Sequence, residues 1–194
     1  MRSPWESRGK KIHKRGIDVT TYEFDAQRII VEGCLRDDRF QDSHMITGEE
    51  FPRGVIHSMS IKLLVNCFTL MIENVAVDLP SVPRESCRDT ADCLTPIEGL
   101  TITRGFTAKV KKIAGGSKGC THLLELLQAM APAAFQGVAA FQAQTLSGFD
   151  PARAEAALKL LANTCHAWRD DGPLVERLNT MLNKNQKEKN PENR

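Results

Sequence analysis

The sequence has no long uninterrupted hydrophobic run. Its greasiest stretch, Leu123 to Phe141, is broken by Glu125, Gln128, Pro132 and Gln136, so a buried helix is expected there rather than a membrane span. A dominant charge of one sign is also missing. The formal net charge is +2 over 194 residues, which gives no overall drive toward nucleic acid or a membrane surface. The N-terminal stretch is basic (Arg2, Arg8, Lys10, Lys11, Lys14 and Arg15), but no apolar segment follows it. It does not read as a secretory signal, and a cytoplasmic location is expected. No internal repeat is visible. There is no CxxC pair, no Walker A loop, no dinucleotide fingerprint and no conspicuous pair of carboxylates. These absences argue against zinc knuckles, dithiol redox motifs, P-loop and Rossmann enzymes, and glycosidase-like acid–base pairs.

What remains is an ordinary globular composition, 41% hydrophobic and 26% charged, of a size suited to one core. Residues 1–15 are expected to form a flexible basic arm, 16–182 a single domain and 183–194 a disordered tail. Six cysteines are present: Cys34, Cys67, Cys87, Cys93, Cys120 and Cys165. Without a secretory signal they are expected as free thiols, most of them small buried hydrophobes.

Strand signals come first along the chain. Arg28 to Leu35 is rich in β-branched residues. Val55 to Val65 alternates strictly, with Val55, His57, Met59, Ile61, Leu63 and Val65 on one face, which predicts a half-buried strand. A turn near Asn66-Cys67 leads to a partner strand over Phe68 to Val77. A loop carrying Cys87 and Cys93 follows, then a short extended piece over Leu100 to Thr103. Phe106, Val110 and Ile113 recur at helical spacing. After Gly115–Gly119 a long helix is expected from Thr121 as N-cap, kinked or divided at Pro132. Asp150-Pro151 opens another helix, with Leu158, Leu161, Cys165 and Trp168 on one stripe. Gly172-Pro173 opens a last one, with Leu174, Leu178, Met181 and Leu182 inward. Strands first and helices after predict an α+β fold, an N-terminal antiparallel hairpin packed against C-terminal helices.

The segment GGSKGCTH (115–122) is the first candidate site. Its glycines free the backbone, and the helix start behind it points N–H groups and a positive dipole end at Cys120. Such a position favours a thiolate. Cys120 fits a metal ligand with His122 beside it, or a nucleophile. Lys118 and Gly119 fit an anion-binding loop. A plain glycine-ended helix with a buried thiol fits as well. Cys165 and His166 form a second candidate, read either as ligands or as a packed thiol with an incidental neighbour. His57, on the apolar face of its strand, is a third, read as a ligand or base or as a hydrogen-bonded core histidine. Cys87 can supply a further thiolate. Soft thiolate and imidazole donors suit zinc or iron. A basic group, Arg104, Lys109, Lys111, Lys112 and Lys118, is suited to an anionic small molecule such as a coenzyme A ester, or is simply a solvated face.

The segments GVIHSMSIKL (54–63), PRESC (83–87), IEGLTITRGFTAKV (97–110), GGSKGCTHLLELL (115–127) and NTCHAWRDDGPLV (163–175) resemble a bacterial family known as domain of unknown function 2889. The likeness spans residues 12 to 178, and GCTHL is its most specific piece. This chain carries Ser58 where the family pattern has Asp after the histidine. The resemblance implies domain boundaries more than an activity. The order Cys87, Cys120, Cys165-His166 is also similar to the ligand order of iron–sulfur scaffold proteins of the NifU-like type, with the late pair reversed.

Three classes of function follow. The first is a Cys/His metal-binding protein, zinc or iron, drawing on Cys120, His122, Cys165, His166, Cys87 and His57. The second is a thiol enzyme acting on acyl or phosphorylated small molecules, with Cys120 as nucleophile. The third is a non-catalytic binding module. The residues leave open whether the protein is an enzyme.

Overall fold

A computed structural model describes residues 3–144 and 148–189. The order is strands β1 (His13–Asp25), β2 (Arg28–Arg39), β3 (Ser43–His44), β4 (Glu50–Phe51), β5 (Gly54–Asn66) and β6 (Ile72–Ser81), then helices α1 (Phe106–Ala114), α2 (Thr121–Ala143), α3 (Pro151–Leu161) and α4 (Pro173–Lys189). The fold is α+β, an antiparallel sheet of N-terminal strands with C-terminal helices. Contacts divide the chain into two compact units, Met1–Gln144 and Thr145–Arg194, where the sequence predicts one domain.

In the first unit the long strands form one sheet in the order β1-β2-β5-β6. Alternation decides which face is buried. Ile29, Val31, Leu35 and Asp37 of β2 are buried together with Met59, Ile61, Leu63 and Val65 of β5. Cross-strand register pairs Val31 with Leu63, Leu35 with Met59 and Asp37 with His57. Each fully buried aliphatic side chain here contributes about 1.5–3 kcal/mol.

Helix α2 lies on that face. Its Leu123, Leu126, Leu127, Met130, Ala131, Ala134 and Val138 recur at helical spacing and are buried. On length and composition α2 could cross a membrane, but half of its most apolar window is buried inside the protein. Two glycines let helix and sheet approach closely. A Cβ on Gly33 would lie 2.5 Å from the Met130 sulfur, and one on Gly137 would lie 2.6 Å from Cγ2 of Thr21. Pro132 does not divide the helix, which runs unbroken from Thr121 to Ala143. Buried side chains on both sides of Pro132 hold the two halves to the sheet, and that packing outweighs one lost backbone bond.

Other boundaries shift for identifiable reasons. The expected arm ends early, because His13, Lys14 and Arg15 pair with Arg39, Asp38 and Asp37 as the start of β1. The β5–β6 turn is longer than expected. Asn66 Oδ1 accepts from the N–H groups of Phe68 and Thr69, an Asx-type closure, and β6 begins only at Ile72. The cysteine-bearing loop is wound into 3-10 turns over Glu85–Ile97.

In the second unit Asp150 caps α3 by accepting from the N–H groups of Ala152 and Arg153. That helix stops at Leu161, so the expected stripe through Cys165 and Trp168 is not helical. Asn163 takes a left-handed conformation, φ 60°. Its N–H donates to the Trp168 carbonyl and its side-chain oxygen accepts from the Asp170 N–H. Val175 and Leu182 of α4 are buried, while Leu174 is exposed. Residues 183–189, expected to be disordered, are the last turns of α4; residues 190–194 of that expected tail lie outside the described residues.

Candidate functional site

Three adjacent strands each place one residue in a row across the buried face. Arg15 of β1 stands opposite Asp37 of β2, and Asp37 stands opposite His57 of β5. Asp37 is the one buried charged residue among those described, 1% exposed. A carboxylate there requires partners, and it has them. Arg15 donates from Nε to Oδ1 and from Nη2 to Oδ2, both at 2.7 Å, the bidentate geometry of strong arginine–carboxylate pairs. His57 Nδ1 lies 2.9 Å from Oδ2, and His13 Nε2 lies 3.4 Å from Oδ1. The register shifts between Asp37 and Asp38, directly beside this row. Bulges at such places re-aim side chains.

The first turn of α2 covers the row. The His122 ring stacks on the His57 ring with centroids 3.9 Å apart and planes tilted by 36°. Glu125, one turn on, pairs with Arg15. Cys120 is the N-cap of α2, one residue earlier than expected, and its sulfur lies 3.7 Å from His122 Nδ1. Ligand atoms of Asp37, His57 and His122 all lie within 4.8 Å of one another.

The electrostatics follow from burial and neighbours. Burial pushes the His57 imidazole below its ordinary value. The Asp37 carboxylate opposes this, and the charges of Arg15 and Arg39 add to it. Burial likewise lowers His122, helped by His57 and Arg15. Burial alone would raise Asp37, but the Arg15 guanidinium and the His57 ring outweigh it and hold the carboxyl below the usual range. At neutral pH the row is therefore an ionised carboxylate beside two neutral imidazoles.

A cavity of about 260 Å³ opens on this cluster, with His57, His122, Cys120 and Cys87 in its wall. Four residues singled out in the sequence thus meet at one cavity. Cys165 is exposed and caps the 3-10 turn His166–Trp168 in the second unit, where His166 faces Arg169. Lys118 donates to the Lys112 carbonyl. Gly119 has a packing role, since a Cβ there would lie 2.7 Å from the Ala114 carbonyl oxygen and 2.9 Å from the Cys93 sulfur. Arg104, Lys109, Lys111, Lys112 and Lys118 are all exposed.

Sequence patterning does not single out Asp37, Arg15 or Glu125. The readable signal is a charged residue continuing the buried alternation Ile29, Val31, Gly33, Leu35, but the β-branched run that marks the strand ends at Leu35. Ser58, which follows His57, pairs with Arg36 in the ladder. His57 takes its carboxylate from the neighbouring strand instead.

The sequence matches a family model described as "Protein of unknown function (DUF2889)" over residues 13–136. The chain belongs to that family. The match stops short of the Cys165-His166 stretch and takes in the whole Asp37–His57–His122 cluster. Neither the curated proteins nor the solved structures include a match to this chain.

Proposed function

We propose that this protein binds a divalent transition metal, zinc or ferrous iron, at Asp37, His57 and His122. One observation carries the reading: two neutral imidazoles from different elements stack beside a buried carboxylate at the wall of a cavity. Two nitrogen donors and one carboxylate oxygen suit open zinc sites and two-histidine, one-carboxylate iron sites alike. The bidentate grip of Arg15 on Asp37 is the kind of outer contact that fixes a ligating carboxylate. The thiolates leading the expected ligand set are secondary here, because Cys120 lies outside the three-residue grouping.

Metal analysis of untagged protein tests this. The expected result is about one metal per chain, lost in His57→Ala and His122→Ala and kept in Cys120→Ala. A folded wild-type chain that takes up neither zinc nor ferrous iron sinks the proposal.

A second reading rests on the 3.7 Å approach of the Cys120 sulfur to His122 Nδ1. In it Cys120 is a nucleophile and His122 its base, acting on acyl or phosphorylated small molecules. Iodoacetamide labelling across pH separates the two readings. Rapid labelling of Cys120 that slows in His122→Ala favours the thiol reading; labelling indifferent to His122 removes it.

A further inference from the structure

The cavity beside the cluster has a charge signature of its own. Its charged wall residues are both arginines, Arg39 and Arg84, and no carboxylate lines it. Arg84 is already paired with Glu49. Arg39 differs. Its Nη1 is buried and finds no hydrogen-bond acceptor among the described residues, while its guanidinium stacks over the Phe51 ring at 5.2 Å. Among the described residues no carboxylate pairs with Arg39, so its charge stands unmatched at the cavity wall. Stacking on an aromatic ring holds the planar fork in place for an oxyanion. The rest of the wall is largely apolar, including Met45, Ile56, Leu79 and Val82.

We infer that this cavity binds a small organic carboxylate, with the carboxylate on Arg39 and the apolar body against Met45, Ile56, Leu79 and Val82. A single unpaired guanidinium matches one negative charge. A phosphate dianion would call on a second cation, and Arg84 is committed to Glu49. At about 260 Å³ the space is at the small end for ligand pockets, which favours a short-chain acid. His57 and His122 in the same wall put the bound molecule next to the proposed metal. The inference extends that reading to the ligand of the site, but its charge argument rests on Arg39 and holds for the metal-free chain.

The test is calorimetric titration of the full, chelator-treated chain with hexanoate, hexanamide and inorganic phosphate. Hexanoate is expected to saturate one site, with hexanamide and phosphate at least about tenfold weaker, the loss expected for one charged hydrogen bond. Arg39→Gln should weaken hexanoate about 10- to 100-fold, with Arg39→Lys in between. The comparison of hexanoate with hexanamide needs no variant, so a misfolded Arg39→Gln leaves it decisive. Equal binding of acid and amide, or no saturable binding, overturns the inference. So does binding that appears only after metal is restored and ignores Arg39→Gln, a result that would leave the metal reading standing.

Discussion

The Asp37 carboxylate faces His57 directly across the β2–β5 ladder, 2.9 Å from Nδ1. The contact holds the ring against the carboxylate, so both offer donor atoms to the same small space. Loss of the carboxylate should therefore remove one ligand and loosen a second. Asp37→Asn is expected to weaken metal binding by about 10- to 100-fold, read by competition with a chromophoric chelator. Affinity unchanged from wild type would show that Asp37 has no part in the site.

Removing the partner of Asp37 should cost stability as well. Arg15→Ala leaves a buried carboxylate with only histidine neighbours. Breaking a buried ion pair on one side typically costs about 3–5 kcal/mol. Arg15 itself keeps 30% side-chain exposure, so the lower end, about 3 kcal/mol, is expected from urea unfolding.

Acid should destabilise the metal-free protein. His57, His122 and Asp37 are all held below their ordinary values in the folded chain, so the unfolded chain takes up protons first. Their contribution is complete above the unfolded values and is lost as pH falls through the folded ones. The urea midpoint should thus fall steadily below about pH 6.5, and further below about pH 4. A midpoint that rises from neutrality to about pH 5 would mean that the folded histidines bind protons more tightly than the unfolded ones, the reverse of what burial dictates.

Gly119→Ala probes the close packing ahead of α2. The backbone is extended there, φ −170°, so any cost is steric. A Cβ would meet the Ala114 carbonyl at 2.7 Å and the Cys93 sulfur at 2.9 Å. A loss of about 1–3 kcal/mol is expected in thermal or urea unfolding.

Asp150→Ala serves as a control in the second unit. It removes the N-cap of α3 and should cost about 1 kcal/mol. Metal content should not change.

Strands β2 and β5 are legible in the sequence, β2 from its β-branched run and β5 from its strict alternation, whereas β1 (His13–Asp25) carries no such signal. Capping at Asp150 is legible from the Asp-Pro step. His57 stands out for the same reason as the strand: a polar residue on an apolar face. Asp37 does not, because its meaning depends on which strand lies alongside, and the spacing of 20 residues between Asp37 and His57 carries no local signature. The Cys165 stripe misleads because helical spacing continues on paper through Asn163, whose left-handed turn follows the end of α3. Arg39 is invisible to pattern, since an unpaired guanidinium is recognisable only once its surroundings are known.

Arg15, Asp37 and His57 come from three strands yet sit in one line perpendicular to them. Sliding any one of those strands by a single residue would turn its member of the line to the opposite face. The cluster therefore acts as a check on strand alignment. A chain that had collapsed with its sheet misregistered could bury as much oil-like surface, but it could not bring guanidinium, carboxylate and imidazole into contact. Whatever chemistry the protein performs is available only to molecules that have paired their strands correctly.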